Sequence, residues 1–115
     1  MDMKAWLHEQ LTADKRRALP ILSFPSIQLL GITVRELISD SDLQARGMCE
    51  VAKRCPAAAA VSMMDLSVEA ECFGSQIRVS DDEVPTVVGS VVNSMEDAQA
   101  LKVPQVGAGR TGVYV

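Results

Sequence analysis

The feature that most limits what this chain can fold into is the join across residues 43–65. Leu43, Gly47, Met48, Val51, Ala52 and Cys55 recur at helical spacing, which predicts a helix over Leu43 to Arg54 with one buried face. Asp40-Ser41-Asp42 offers N-cap groups for it, and Pro56 stops it. A small apolar run, Ala57 to Met64, then ends in Asp65. Alanine prefers helix, but a proline-terminated amphipathic helix that feeds a short apolar run predicts a return into a buried parallel strand. Such a strand has to be covered on both faces, and one or two strand–helix units cannot cover it.

The rest of the chain reads in the same α/β sense. Met3 to Asp14 predicts an amphipathic helix, with Trp6 as its one large anchor and Lys15-Arg16-Arg17 at its C-terminal end, where cations suit the helix dipole. Ala18 to Leu22 predicts a buried strand in which Pro20 counts against a central position. Ile27 to Gly31 predicts a turn of helix, and Thr33-x-x-Glu36 is a capping box that opens another through Ile38. Leu66 to Phe73 predicts a helix closed by Gly74. Gln76 to Val79 and Val84 to Val88 read as extended, and Ser94-x-x-Asp97 opens a last helix through Leu101 or Lys102.

Charge and composition exclude several function classes. With 11 basic and 15 acidic residues the net charge is −4, and there is no basic stripe for a phosphate backbone. Aromatics are 3%, too few for a base-stacking surface, so no nucleic-acid partner is expected. No apolar run approaches the roughly 18 residues of a membrane span. Three cysteines, Cys49, Cys55 and Cys72, without C-x-x-C spacing fit reduced thiols in a cytoplasmic protein.

Three patterns are candidates for chemistry. Gly107-Ala108-Gly109-Arg110-Thr111-Gly112 is formally G-x-G-x-x-G, but a dinucleotide site needs a following helix and a downstream acid. It reads as a flexible connection. His8, the one histidine, has no cysteine near it in sequence, so spacing supports neither a zinc site nor a Cys–His pair. Asp65 differs, because a carboxylate at the C-terminal end of a strand is where an α/β barrel keeps its active site. Asp65 is equally well placed as a cap for the helix after it, and both readings stand. Glu69 lies at i+4 on the same side, and Arg35 is the arginine best placed near the first strand to meet an anionic substrate; a plain surface charge is the competing reading for each.

The stretch Ser62-Met63-Met64-Asp65-Leu66-Ser67-Val68-Glu69-Ala70-Glu71-Cys72-Phe73-Gly74 resembles the uroporphyrinogen decarboxylase superfamily, which includes the methylcobamide:coenzyme M methyltransferases. In that family the second barrel strand ends in an Asp, with a Gly nine residues on, as Asp65 and Gly74 stand here. The Asp-x-x-x-Glu-Ala-Glu-x-x-Gly version is more similar to the methyltransferase branch. Ile77-Arg78-Val79, Val84-Pro85-Thr86-Val87, Asp97-Ala98-x-x-Leu101, Val103-Pro104 and Arg17-Ala18-Leu19-Pro20 fit as well. The decarboxylases carry an Arg-Gln-Ala-Gly-Arg motif after the first strand. Here Leu22-Ser23-Phe24-Pro25-Ser26-Ile27-Gln28 stands there, without either arginine.

The resemblance implies the N-terminal part of a (β/α)8 TIM barrel, with about two strand–helix units plus an N-terminal helix, as a single partial domain over residues 1–115. It implies methyl transfer between a corrinoid and a thiol, with a corrinoid protein as partner. Zinc would hold the thiolate on a His and two Cys that lie outside this chain, leaving this fragment inactive. Asp65 would be the catalytic and substrate-binding carboxylate, joined by Glu69 and Arg35. The alternative is cofactor-free decarboxylation of a tetrapyrrole, with Asp65 accepting pyrrole N–H bonds; arginines converging on Asp65, Arg35 or Arg110, would favour it. A third reading is a non-catalytic remnant that self-associates through open strand edges. The end at Val115, just past the glycine-rich stretch, reads as a cut.

Overall fold

The computed structural model describes residues 2–114; Val115, where the sequence reading places a cut, lies outside them. The order is α1 (Met3–Thr12), α2 (Ser26–Leu30), α3 (Val34–Leu37), α4 (Ser41–Arg54), α5 (Val68–Cys72), β1 (Gln76–Arg78), β2 (Thr86–Val88), α6 (Met95–Ala100) and a 3-10 helix, Gly109–Val113. The fold is mixed α/β with a two-stranded sheet.

Local chemistry sets the helix ends. Asp2 accepts from the backbone of Lys4 and Ala5 and opens α1. Arg16 donates to the Gln10 carbonyl at 3.2 Å beyond its far end, so one cation of the basic trio does serve the C-terminal carbonyls. Gly31 closes α2 in the left-handed region at φ +67°, which glycine enters without steric cost. The Thr33–Glu36 capping box forms in full: the Thr33 Oγ1 accepts from Glu36 N, and the Glu36 carboxylate accepts from Thr33 N at 2.7 Å. The Thr33 N–H and the Thr33 hydroxyl, both donating to the Glu36 carboxylate, hold that carboxyl below the usual range. Asp40 caps α4 through Leu43 N at 2.9 Å.

The two expected parallel strands do not form as strands. Residues 18–22 and 57–64 form no strand, with a bend at 58–59, and the backbone bond joining them is Ala58 N to Ala18 O at 2.8 Å. Pro20 and Pro56 bring no N–H to a ladder, and alanine adds little side-chain packing to a pleated surface. The sheet that does form is the antiparallel pair β1–β2, in the register Gln76↔Val88, Ile77↔Val87, Arg78↔Thr86. Arg35 fixes this hairpin to α3: its Nε donates to Asp81 Oδ1 at 2.9 Å and its Nη2 to the Val79 carbonyl at 3.0 Å, while Val34 N donates to the Asp81 carbonyl.

The buried apolar side chains are Val34, Leu37, Ile38 and Val68. α4 packs on α2 and α3 through Gln44 and Gly47, which are buried. The expected buried face of this helix is therefore only partly buried. Leu43, Met48 and Val51 are half-buried, and Ala52 and Cys55 are exposed; Met48, Val51, Ala52 and Cys55 face Pro20, Leu22 and the stretch from Pro56 across a cavity of about 140 Å³. Helix α1 buries none of its residues.

The shape is open. The radius of gyration is 17.6 Å, against about 13 Å for a compact chain of this length. The accessible surface is 8217 Å², whereas a monomer of this mass exposes about 6,100 Å². Among the described residues no helix is long and apolar enough to cross a membrane.

Candidate functional site

Asp65 ends the segment 57–64 and stands just before α5. It is buried, and its side chain has no exposure. Oδ1 accepts from Ser67 N at 2.9 Å and from Ser67 Oγ at 2.6 Å, an Asx-type turn that leads the chain into α5. Oδ2 accepts from Arg110 Nη1 at 2.5 Å and from the Tyr114 hydroxyl at 3.0 Å. Both readings of Asp65 are thus met in one group: one oxygen organises the start of α5, and the other faces a distant segment.

Arg110 joins three partners. Besides Asp65 it donates from Nε to Glu71 Oε2 at 2.6 Å and from Nη2 to Ser67 Oγ at 2.9 Å. The stretch expected to be a flexible connection is therefore ordered, as the 3-10 helix Gly109–Val113 packed on α5. Cys72 Sγ donates to the Ala108 carbonyl at 3.0 Å, and Thr111 Oγ1 donates to the same oxygen. Gly109 stands at φ +56°, in the left-handed region that glycine enters without steric cost, and a Cβ there would make only an ordinary contact with Cys72 Sγ at 3.6 Å.

The electrostatics follow from this packing. Burial alone would raise the Asp65 pKa, but the two Ser67 bonds and the Arg110 guanidinium outweigh it and hold the carboxyl below its usual range. Burial also lowers the Arg110 pKa, yet Asp65 and Glu71 overcome this and raise it. Burial, then the Asp65 charge, push the Tyr114 hydroxyl far above the usual phenol value. The cluster holds two carboxylates and one guanidinium.

Of the site residues read from the sequence, Asp65 is in this cluster and Glu69 and Arg35 are not; Arg110, named there only as an arginine whose convergence on Asp65 would favour decarboxylation, does converge on it. Glu69 is exposed on α5 and makes no side-chain bond among the described residues. Arg35 is committed to Asp81 and Val79 on the hairpin, with its side chain 58% exposed. Glu71, Ser67, Arg110 and Tyr114 join Asp65 in their place. Local spacing signals none of the long-range pairs, because Arg110 and Asp65 are 45 residues apart.

A second feature lies at the same end of segments 18–22 and 57–64. Ile21, Phe24, Met64, Leu66, Val84 and Pro85 line an apolar cleft of about 310 Å³, and Leu66 is 84% exposed. Among the described residues, no three His, Cys, Asp or Glu side chains are placed to hold a metal ion.

The family model for uroporphyrinogen decarboxylase (URO-D) matches residues 16–115. The chain belongs to the uroporphyrinogen decarboxylase family. Among solved structures, a methyltransferase from Methanosarcina mazei superposes with a TM-score of 0.74 at 20% identity. The match covers 96% of this chain and 35% of that one, so the chain spans about a third of that methyltransferase's length. At this identity the likeness shows a shared fold. No curated protein matches the chain. In this member of the uroporphyrinogen decarboxylase family, Asp65 is held by Arg110 and Tyr114, residues within the matched span.

Proposed function

We propose that residues 1–115 form a single partial domain, the N-terminal part of a (β/α)8 barrel from the methyltransferase-like branch of the family. On this reading the complete protein moves a methyl group between a corrinoid, brought by a corrinoid protein, and a thiol in the cytoplasm. The observation that carries the reading is the superposition of nearly the whole chain on about a third of a methyltransferase. The open surface and the partly empty space between α4 and segments 18–22 and 57–64 are what a slice of a barrel leaves. Zinc, as used in that branch, would find its ligands outside this chain.

Asp65 then stands at the barrel mouth, where barrel enzymes place their site residues. Ionised and with both oxygens bonded, it serves to orient the groups around it rather than to exchange a proton. The same geometry counts against tetrapyrrole decarboxylation. An arginine does converge on Asp65, but Arg110 consumes the carboxylate's charge instead of offering itself to a substrate. Pyrrole N–H groups would have to displace it or Tyr114. Leu22 to Gln28 also lacks the substrate-gripping arginines.

The test is to express the reading frame that carries this chain to its stop codon. The product is assayed with methylcobalamin and a thiol, and separately with uroporphyrinogen. Thiol methylation without decarboxylation supports the reading. Decarboxylation, or neither activity, overturns it.

One observation favours a second reading, self-association of the 115-residue chain. Its surface exceeds that of a compact monomer by about 2,000 Å², as much as one partner contributes to a large obligate interface. Leu66, Val103 and Val106 are among the apolar residues left open.

A further inference from the structure

An ionised carboxylate offers about four acceptor positions, and Asp65 has all of them filled: Ser67 N and Oγ on Oδ1, Arg110 Nη1 and Tyr114 OH on Oδ2. A carboxylate without solvent stays ionised only where donors and a cation replace its water. Ser67 cannot do this alone, since it is neutral and its hydroxyl also accepts from Arg110 Nη2. Arg110 is the cation of the cluster, with its side chain 14% exposed. Glu71, on α5, accepts a hydrogen bond from Arg110 Nε and so aims the guanidinium plane. The arrangement uses the planar fork, because three partners, Asp65, Ser67 and Glu71, are met at once. A lysine ammonium, a point charge on a flexible stem, could not match all three.

We propose that Arg110 is the positioning residue of this site: it fixes Asp65 as a fully bonded anion and docks the 3-10 helix Gly109–Val113 onto α5. Glu71 aims Arg110, and Tyr114 covers the last acceptor position. The role in catalysis rests on the function proposed above, whereas the geometry does not. Arg110, and not Arg35, is then the arginine of the barrel mouth.

The experiment uses the 115-residue chain. Asp65 is titrated by carboxyl carbon NMR, and Tyr114, the one tyrosine, by tyrosinate absorbance. In the wild type Asp65 is expected to ionise below, and Tyr114 above, their usual ranges. Arg110→Met is expected to move the Asp65 titration upward, and Arg110→Lys to restore part of the wild-type position. Tyr114→Phe is expected to leave Asp65 low. An Asp65 titration that Arg110→Met does not move overturns the proposal. So does a wild-type Tyr114 that ionises at its usual value. If Arg110→Met does not fold, Asp65→Asn decides: Tyr114 must then ionise closer to its usual value, and an unchanged titration overturns the proposal. None of these readouts involves methyl transfer, so absence of turnover bears only on the function proposed above.

Discussion

Replacing Asp65 by asparagine keeps the shape of the side chain and removes its charge. The asparagine oxygen can still accept from Ser67, but the amide nitrogen then faces Arg110 and the Tyr114 hydroxyl, donor against donor. Removing one member of a buried ion pair costs about 3–5 kcal/mol, because the remaining charge is left uncompensated. Here Arg110 keeps Glu71 as a partner, on a side chain that is 35% exposed. The expected loss is therefore smaller, about 2–3 kcal/mol at neutral pH. The pH dependence has a definite sign. The folded-state pKa of Asp65 is depressed, so its contribution is present above the usual carboxylate pKa and is lost as pH falls through the folded value. Glu36 and Asp97 are also depressed and add to the acid sensitivity of both proteins. The difference between wild type and Asp65→Asn isolates Asp65, and it should shrink as the solution is acidified. Urea denaturation across this pH range measures the difference. Amide exchange over Gly109–Val113 shows whether the loss is local to the docked segment. Curves that stay within about 0.5 kcal/mol of each other at neutral pH, the range of an ordinary surface substitution, would refute the reasoning. So would a gap that does not change with pH.

Gly47→Ala should destabilise the chain even though alanine favours a helix by about 1 kcal/mol over glycine. The new methyl would stand 2.7 Å from Ser26 Oγ and 2.8 Å from Ser26 Cβ, so α2 and α4 must move apart at an overpacking cost of about 1–3 kcal/mol. In a Ser26→Gly background the same substitution should turn stabilising, and thermal melts of the four proteins give the sign. Light scattering of the purified chain should show a concentration-dependent oligomer, and a monomer with a cooperative melt would count against the association reading. Arg35→Leu should leave the denaturation midpoint of the whole chain nearly unchanged, since the Arg35–Asp81 pair is exposed. It should speed amide exchange at Val34, whose N–H is bonded to the Asp81 carbonyl.

The features legible in the sequence were those decided within a few residues. The capping box at Thr33–Glu36, the Asp40 cap and Ser94 as the cap of α6 follow from side chains that bond their own backbone neighbours, and the αL cap at Gly31 follows from the absence of a Cβ. Gln76 to Val79 and Val84 to Val88 likewise read as extended and contain β1 and β2, whereas their pairing comes from the structure. Family membership was legible for a related reason: Asp65 and Gly74 frame a strand end and a short helix whose spacing is local.

Tertiary structure alone decided the rest. Residues 18–22 and 57–64 have the apolar pattern of strands, but a parallel ladder depends on neighbours and on covered faces, and here one backbone bond joins them. Glu69 and Arg35 were reasonable from spacing and charge, yet α5 leaves Glu69 exposed and the hairpin claims Arg35. Arg110 and Tyr114 reach Asp65 from 45 and 49 residues away. A stretch that reads as a flexible glycine linker becomes a docked turn, because the Asp65 carboxylate, once buried, needs a cation and a donor that its own neighbourhood does not supply. Local sequence determined which carboxylate stands at the end of the apolar run. Packing determined what holds it, since no period or motif encodes which distant cation a desolvated anion will meet.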